Sequence, residues 1–389
     1  MSRYLSFVLL LFTYHSSFSQ RLITADEAVN LALNNQRNLK AASLNVQQQQ
    51  QLLRGASGLE SPQVFGEATP YEPLIVGVQQ TVSLPAVYRN RKALQSQQLK
   101  LAQLQLLGSQ YDLKREVQIS YLQLQYLSEK RRLLQFQDSI YREIKMASKR
   151  FFEAGQINKL EELQATSQAD QVNNELNRNN ADIDAAMELF RFYTNVADSF
   201  TIEGIRNYLF VAGADTLVSN IQQQILQQQI TIGEQELKLQ RSQLLPEIQA
   251  GVSFPTSGQY ERIVGYQFGI TIPIWQRQNK SRISAAKTGI EIARAEQAIE
   301  SQRLNTAYRQ VINQYQRDLQ SLSYYNTTAL PQARAIMETS QRLFKGGELN
   351  YVESLRNLQS AFDIFFAHLE THNTFNQSVI QLKYLNGTM

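Results

Sequence analysis

Residues 86–152 read AVYRNRKALQSQQLKLAQLQLLGSQYDLKREVQISYLQLQYLSEKRRLLQFQDSIYREIKMASKRFF, with no proline and a single glycine, Gly108. At 1.5 Å per residue such a run predicts a helix about 100 Å long, far beyond an ordinary globular helix. Two apolar stripes follow its second half. One passes through Ile119, Leu122, Tyr126, Leu133, Phe136, Ile140, Ile144, Ala147 and Phe151. The other passes through Leu113, Val117, Leu124, Leu127, Leu134, Tyr141 and Phe152. Heptad spacing on one face calls for one helical neighbour, so two seams call for neighbours on both sides. The rest of the surface is Gln, Ser, Lys, Arg and Glu. A helix flanked twice and wet elsewhere suits the wall of a tube; a solid coiled coil or bundle is the alternative on this stretch alone.

The chain has 389 residues, 43% hydrophobic, with a mean hydropathy of −0.36. Past the N-terminus no window approaches the roughly 18 consecutive apolar residues of a spanning helix. A formal net charge of +4 without a basic block argues against nucleic acid as a partner. Cysteine is absent, which removes disulfides, thiol catalysis and thiolate metal sites together. Arg3, the apolar run Leu5 to Phe12 and Ser17-Phe18-Ser19 have the form of a cleaved export signal, residues 1–19. Export without disulfides fits a bacterial envelope protein.

Thr24-Ala25-Asp26-Glu27 predicts a helix start, with Thr24 as cap, and the pattern continues to Arg54-Gly55. The glutamine run Gln47 to Gln51 lies within apolar periodicity and reads as a solvated helix face. From Ser61 to Leu84 the period changes to two: a short strand from Gln63 to Thr69, a turn at Pro70–Pro73, then a clearer strand closed by Pro85. The long helix reverses at Gly155, and a second runs from Asn158 to about Thr194. Asp198 to Ala214 is a looser joining segment. The same programme then repeats: helix from Asp215 to Leu244, strands around Pro246–Phe254 and Tyr266–Ile272 with a loop at Pro255–Arg262, and Pro273 as the stop. A long helical stretch with Pro331 as an expected kink follows, and Gly346-Gly347 precedes a last helix from Asn350.

Offsets mark this as a tandem repeat. Pro62 to Pro246 is 184 residues, Pro85 to Pro273 is 188, and Gly155 to Gly347 is 192. At an offset of 192, Arg150, Phe152, Gly155, Asn158, Glu161 and Leu163 fall on Arg342, Phe344, Gly347, Asn350, Glu353 and Leu355. The expected repeats are residues 20–212 and 213–389, each ordered helix, two strands, very long helix, helix.

In the strands, aliphatic and aromatic residues alternate with small polar ones, the pattern of a membrane barrel wall. Val76, Val78, Val82, Phe268 and Ile270 are expected to face lipid; Gln79, Thr81, Gln267 and Thr271 are expected to face a pore. Four strands per chain cannot close a barrel, and open edges are not tolerated in lipid. Three chains sharing one barrel would supply twelve strands. Trp275, the only tryptophan, and its counterpart Tyr88 fit an interfacial aromatic girdle. A small water-soluble sandwich at the end of a bundle is the other reading of these strands.

With these features in place the chain resembles the TolC-like outer-membrane efflux proteins over essentially all of its mature length. The resemblance is carried by the opening Thr24 to Val29, the two strand pairs each followed by proline, the paired turns, and Leu330-Pro331-Gln332-Ala333. It implies a mainly α fold with a small β part, as a homotrimer: a twelve-stranded barrel in the outer-membrane lipid and a long helical tunnel through the periplasm. It further implies passive conduction, with no cofactor, in a tripartite system with a periplasmic adaptor and an inner-membrane pump. The turns at Arg150, Gly155, Asn158, Arg342, Gly347 and Asn350 map onto the family's adaptor-docking tips. Ser83 to Lys92 and the region Tyr121 to Asp138 are similar to members serving heavy-metal-type resistance-nodulation-division pumps. The short loops Pro70–Pro73 and Pro255–Arg262 and the brief Asp198–Ala214 segment depart from the family pattern.

Little is left for catalysis. Of three histidines, His15 lies in the export signal, while His368 and His372 share a helix face without the residue order of a zinc protease. Glu161, Glu162 and Glu353 sit in first helical turns, where a carboxylate favours the helix dipole. The chain is therefore expected not to be an enzyme. The rival reading is a soluble periplasmic coiled-coil adaptor or scaffold.

Overall fold

A computed structural model describes residues 21–35, 37–68, 70, 74–196, 200–208, 220–256, 264–274 and 276–389. The expected export signal, Trp275, most of both loops at the strand tips, and the expected boundary between the repeats lie outside the described residues. In chain order the elements are β1 (Arg21–Ile23), α1 (Ala25–Asn35), α2 (Arg37–Gly55), β2 (Gln63–Glu67), β3 (Ile75–Ser83), α3 (Pro85–Glu153) and α4 (Lys159–Thr194). They continue with β4 (Phe200–Ile202), α5 (Ile221–Ser242), β5 (Glu247–Pro255), β6 (Gly265–Thr271), α6 (Gln276–Tyr324), a π-turn at Tyr325–Ala329, α7 (Leu330–Lys345) and α8 (Tyr351–Leu385).

Helix α3 is 69 residues long and begins on Pro85, whose missing N–H costs nothing in the first turn. Both expected seams of its lower half are filled. Tyr141 meets Ala169 and Val172 of α4 on one side and Phe362 of α8 on the other. Ile144 joins Ala165, Tyr351 and Leu358 in the next layer. Full burial of side chains such as Phe362 contributes about 2–3 kcal/mol each, so these layers, not helix propensity, hold so long a helix in place.

In its upper half α3 lies between α2 and α5, and α5 packs on α6. The strands repeat that order: β2-β3-β5-β6, antiparallel throughout. Each strand thus continues into the helix beneath it, and the molecule is one continuous wall. Away from the sheet the neighbours of α3 become α4 and α8, with α7 beyond α8. The wall has free edges at β2 and β6.

Three features depart from the sequence expectation. The first helix is two helices, α1 and α2. The joining segment is not wholly irregular: β4 pairs in parallel with β1, Arg21 opposite Phe200. Pro331 produces a π-turn rather than a simple kink, with the N–H of Leu330 donating to the carbonyl of Tyr325. Proline cannot donate and its ring crowds the carbonyl four residues back, so one wider turn accommodates it.

Tyr121 ties β1 and the joining segment to α3. It is fully buried beside Ile23, Val29 and Phe190; its hydroxyl donates to the Ile23 carbonyl at 2.8 Å and accepts from the Glu203 N–H at 3.1 Å. Tyr121→Phe keeps the ring but strands both backbone groups, so it is expected to cost about 1–3 kcal/mol in denaturant or thermal unfolding. A change below 0.5 kcal/mol would show that water satisfies both groups.

Candidate functional site

Ladder register sorts the sheet residues into two faces. Val78 stands opposite Val64 and Val252, and Val252 opposite Tyr266. Val82 stands opposite Ile248, which is opposite Ile270; Gln80 stands opposite Ala250, which is opposite Phe268. Partners across a ladder point the same way, so Val76, Val78, Val82, Phe268 and Ile270 share one face. Gln79, Gly251 and Gln267 form a row on the other, with Thr81 opposite Gln249 and Thr271 opposite Glu247. Gln80 is a polar residue on the apolar side; its amide donates to the Glu60 and Thr81 carbonyls. Phe65 is an aromatic on the polar side, and its ring fills the space over Gly77, where a Cβ would lie 2.3 Å from it.

The apolar face is the more exposed one. Phe268 is 81% exposed, Tyr266 74%, Val64 73% and Ile270 67%. On the polar face Gln267 and Thr271 are exposed, Gln79, Thr81, Gln249 and Ser253 are half-buried and Ser83 is buried. No described helix covers the apolar side. Ser83 Oγ donates to Glu247 at 3.0 Å at the lower rim, and the Tyr88 hydroxyl accepts the Ser83 N–H at 3.2 Å. Arg91 lies over the Tyr88 ring and pairs with Glu60 at 3.6 Å.

At the far end of the wall two helix reversals lie side by side, Phe151 edge-on to Phe344 at 6.4 Å. Gly155 and Gly347 adopt φ of +70° and +77°. In each turn the glycine N–H donates to the carbonyl of Phe152 or Phe344, and the next N–H reaches back to Phe151 or Leu343. This double closure needs the left-handed region that glycine enters without strain. Asn158 caps α4 by accepting from the Glu161 N–H, and Glu161 in return accepts from the Asn158 N–H. The Asn350 side chain caps α8 by accepting from the Glu353 N–H at 2.9 Å. The repeat identities at glycine and asparagine are thus explained by turn chemistry, and Glu161 by its reciprocal cap. Arg150 and Arg342 are exposed, and so is Leu163, whereas Leu355 packs in the core between α7 and α8.

Other titratable groups serve packing. The Tyr126 hydroxyl donates to Glu370 at 2.6 Å, and burial together with that carboxylate raises the phenol. His368 and His372 lie 6.0 Å apart, with Tyr325 of the π-turn edge-on to His368. Burial pushes both imidazoles down, assisted by Arg334 at His368 and by His368 at His372. Among the described residues no group of three or more His, Asp and Glu could hold a metal. Nor is any described helix long and apolar enough to cross a membrane.

Sequence reasoning passed over one cluster. Asn376, fully buried, donates to the Arg206 carbonyl and accepts from the Tyr208 N–H, while Gln125 donates to the Glu203 and Gly204 carbonyls. The joining segment is thereby latched to both α3 and α8. The available signal was a polar residue recurring inside an apolar stripe.

Solved structures of outer-membrane channels share this architecture. The CmeC outer membrane channel of Campylobacter jejuni aligns with a TM-score of 0.79 at 14% identity, over 94% of this chain and 85% of that one. The outer membrane protein VceC of Vibrio cholerae gives 0.78 at 13% identity, over 93% of this chain and 96% of that one. The open state of the Neisseria gonorrhoeae MtrE outer membrane channel gives 0.75 at 12% identity, over 93% and 88% respectively. No protein-family model and no curated protein matches the sequence. The fold is TolC-like.

Proposed function

We propose that the protein is the outer-membrane channel of a tripartite efflux system, a passive conduit and not an enzyme. Three copies close the β2 and β6 edges into a twelve-stranded barrel in the outer membrane of a Gram-negative bacterium, and their helices form the tunnel through the periplasm. The observation that carries this reading is the sheet's apolar face, the more exposed of the two and covered by none of the described residues. A water-soluble adaptor or scaffold would bury that face or make it polar. Val76, Val78, Val82, Phe268 and Ile270 meet lipid; Gln79, Thr81, Gln267 and Thr271 line the water-filled pore; Tyr88 and Trp275 stand at the interface. The turns around Gly155 and Gly347 receive a periplasmic adaptor, which links the channel to an inner-membrane pump of the resistance-nodulation-division type. The two repeats, residues 20–212 and 213–389 after the export signal, contribute equivalent halves of the wall.

Single cysteines test the sidedness directly, because the chain has none of its own. In outer-membrane fractions, cysteines at Gln79, Thr81 and Gln267 should react with a small water-soluble thiol reagent. Those at Val78 and Phe268 should react about tenfold or more slowly, since lipid excludes the reagent. Equal labelling on both faces would refute a barrel wall.

A further inference from the structure

Just beneath the sheet, one side of the helical wall is strongly cationic. A groove on that side lies over α5 between α3 and α6, lined by Lys100, Gln224, Gln227, Thr231 and Gln297. Helical periodicity carries the same side upward toward the sheet. On α3 it runs from Lys100 to the exposed Lys92 and Arg89. On α5 it runs from Thr231 through Glu234 to the exposed Lys238 and Arg241. On α6 it holds Lys280, Lys287 and Arg294, spaced by sevens and all exposed, and Gln297, which donates to Gln227 at 2.9 Å.

Against these eight cations the same side offers Glu234, which pairs with Arg294 at 3.3 Å, the exposed Glu291 and, at the lower rim of the sheet, Glu247, which accepts from Ser83 Oγ. None of the other seven has a carboxylate within ion-pair distance among the described residues. On the opposite side of the same helix ends Arg91 is paired with Glu60, and Arg282 is the other cation. The whole chain carries a formal charge of only +4, so this clustering is not a reflection of bulk composition.

Gln80, on the apolar face of the sheet, donates to the carbonyl of Glu60, and the Glu60 carboxylate pairs with Arg91, so the Arg91 side of α3 lies below the apolar face. Arg89 and Lys100 stand on the other side of that helix from Arg91, so the cationic surface continues the polar face of the sheet.

We infer that the cationic side faces the lumen and forms an anion-attracting vestibule below the barrel, so that the conduit favours small anionic solutes. This role presupposes the trimeric conduit proposed above. Seven-residue steps on α6 place charges about 10 Å apart, close to the screening length at physiological salt. Three copies around a narrow water column then act as one continuous positive field, which a low-dielectric wall concentrates.

The trimer reconstituted in planar lipid bilayers tests this with pyrenetetrasulfonate as the probe. The polyanion should block the ion current, while an organic tetracation of similar size should not. A combined Lys92→Gln, Lys238→Gln and Lys287→Gln variant, with wild-type trimer yield, should need about tenfold more polyanion for half-block. Unchanged block in that variant, or equal block by the tetracation, overturns the vestibule while leaving the conduit intact. A folded trimer that passes no ion current at all overturns the conduit itself.

Discussion

Phe268→Arg is expected to deplete the protein from outer membranes while leaving its helices folded. In the single chain Phe268 is 81% exposed and no described helix packs over it. In water, replacing so exposed a side chain changes stability by less than about 0.5 kcal/mol. In lipid the same change places a guanidinium within the apolar band of a barrel wall, at roughly 2–4 kcal/mol per chain near the midplane. A trimer carries the substitution three times over, so the effect on assembly exceeds that on any one strand. Gln267→Arg, one residue away on the opposite face, meets water in the pore and should assemble normally. The measurement is the amount of trimer in purified outer membranes, beside circular dichroism of the extracted protein. If Phe268→Arg reaches wild-type levels in the membrane, the exposed face is not a lipid face.

Gly347→Leu, alone or with Gly155→Leu, is expected to abolish efflux in a channel that still assembles. Both glycines hold positive φ, and a Cβ added at either would meet nothing within 4 Å. The cost is therefore backbone strain alone, about 1–2 kcal/mol for a side chain held in the left-handed region. The tips are anchored elsewhere: Phe344 packs with Ile144 and Tyr351, and Asn158 and Asn350 keep their caps. Local strain of that size should not unfold a wall buried along both seams. What changes is the blunt surface between Arg150 and Asn158 and between Arg342 and Asn350, where a bulky side chain would stand against an adaptor's hairpin. Cell-based efflux and site-specific crosslinking to the adaptor provide the two readouts. Should the double variant retain both, the turns are structural and the partner docks elsewhere. Because Glu161 is explained by capping, Arg150 and Arg342 are the residues to substitute next.

The helices, the reversals and the two-faced strands were legible in the amino-acid sequence because each depends on short-range signals. Heptad stripes foretold both seams of α3, glycine followed by an asparagine cap foretold both tips, and period-two alternation foretold the faces of β3, β5 and β6. A duplicated order of elements made each of these signals count twice. Tertiary structure decided what depends on distant partners. β1 and β4 are three residues each, too short to alternate, and pair across a separation of 179 residues as Arg21 with Phe200. Tyr121, Gln125 and Asn376 sit within apolar stripes, and only the approach of the joining segment shows that they hydrogen-bond its backbone. Pro331 announces a disturbance, but whether a helix kinks or widens is settled by the helices packed around it. The sheet order β2-β3-β5-β6 places the two halves side by side through β3 and β5, a choice of edge that no strand encodes on its own. That choice also sets α3 beside α5 and α5 beside α6, and so gathers lysines and arginines scattered between Arg89 and Arg294 onto a single surface.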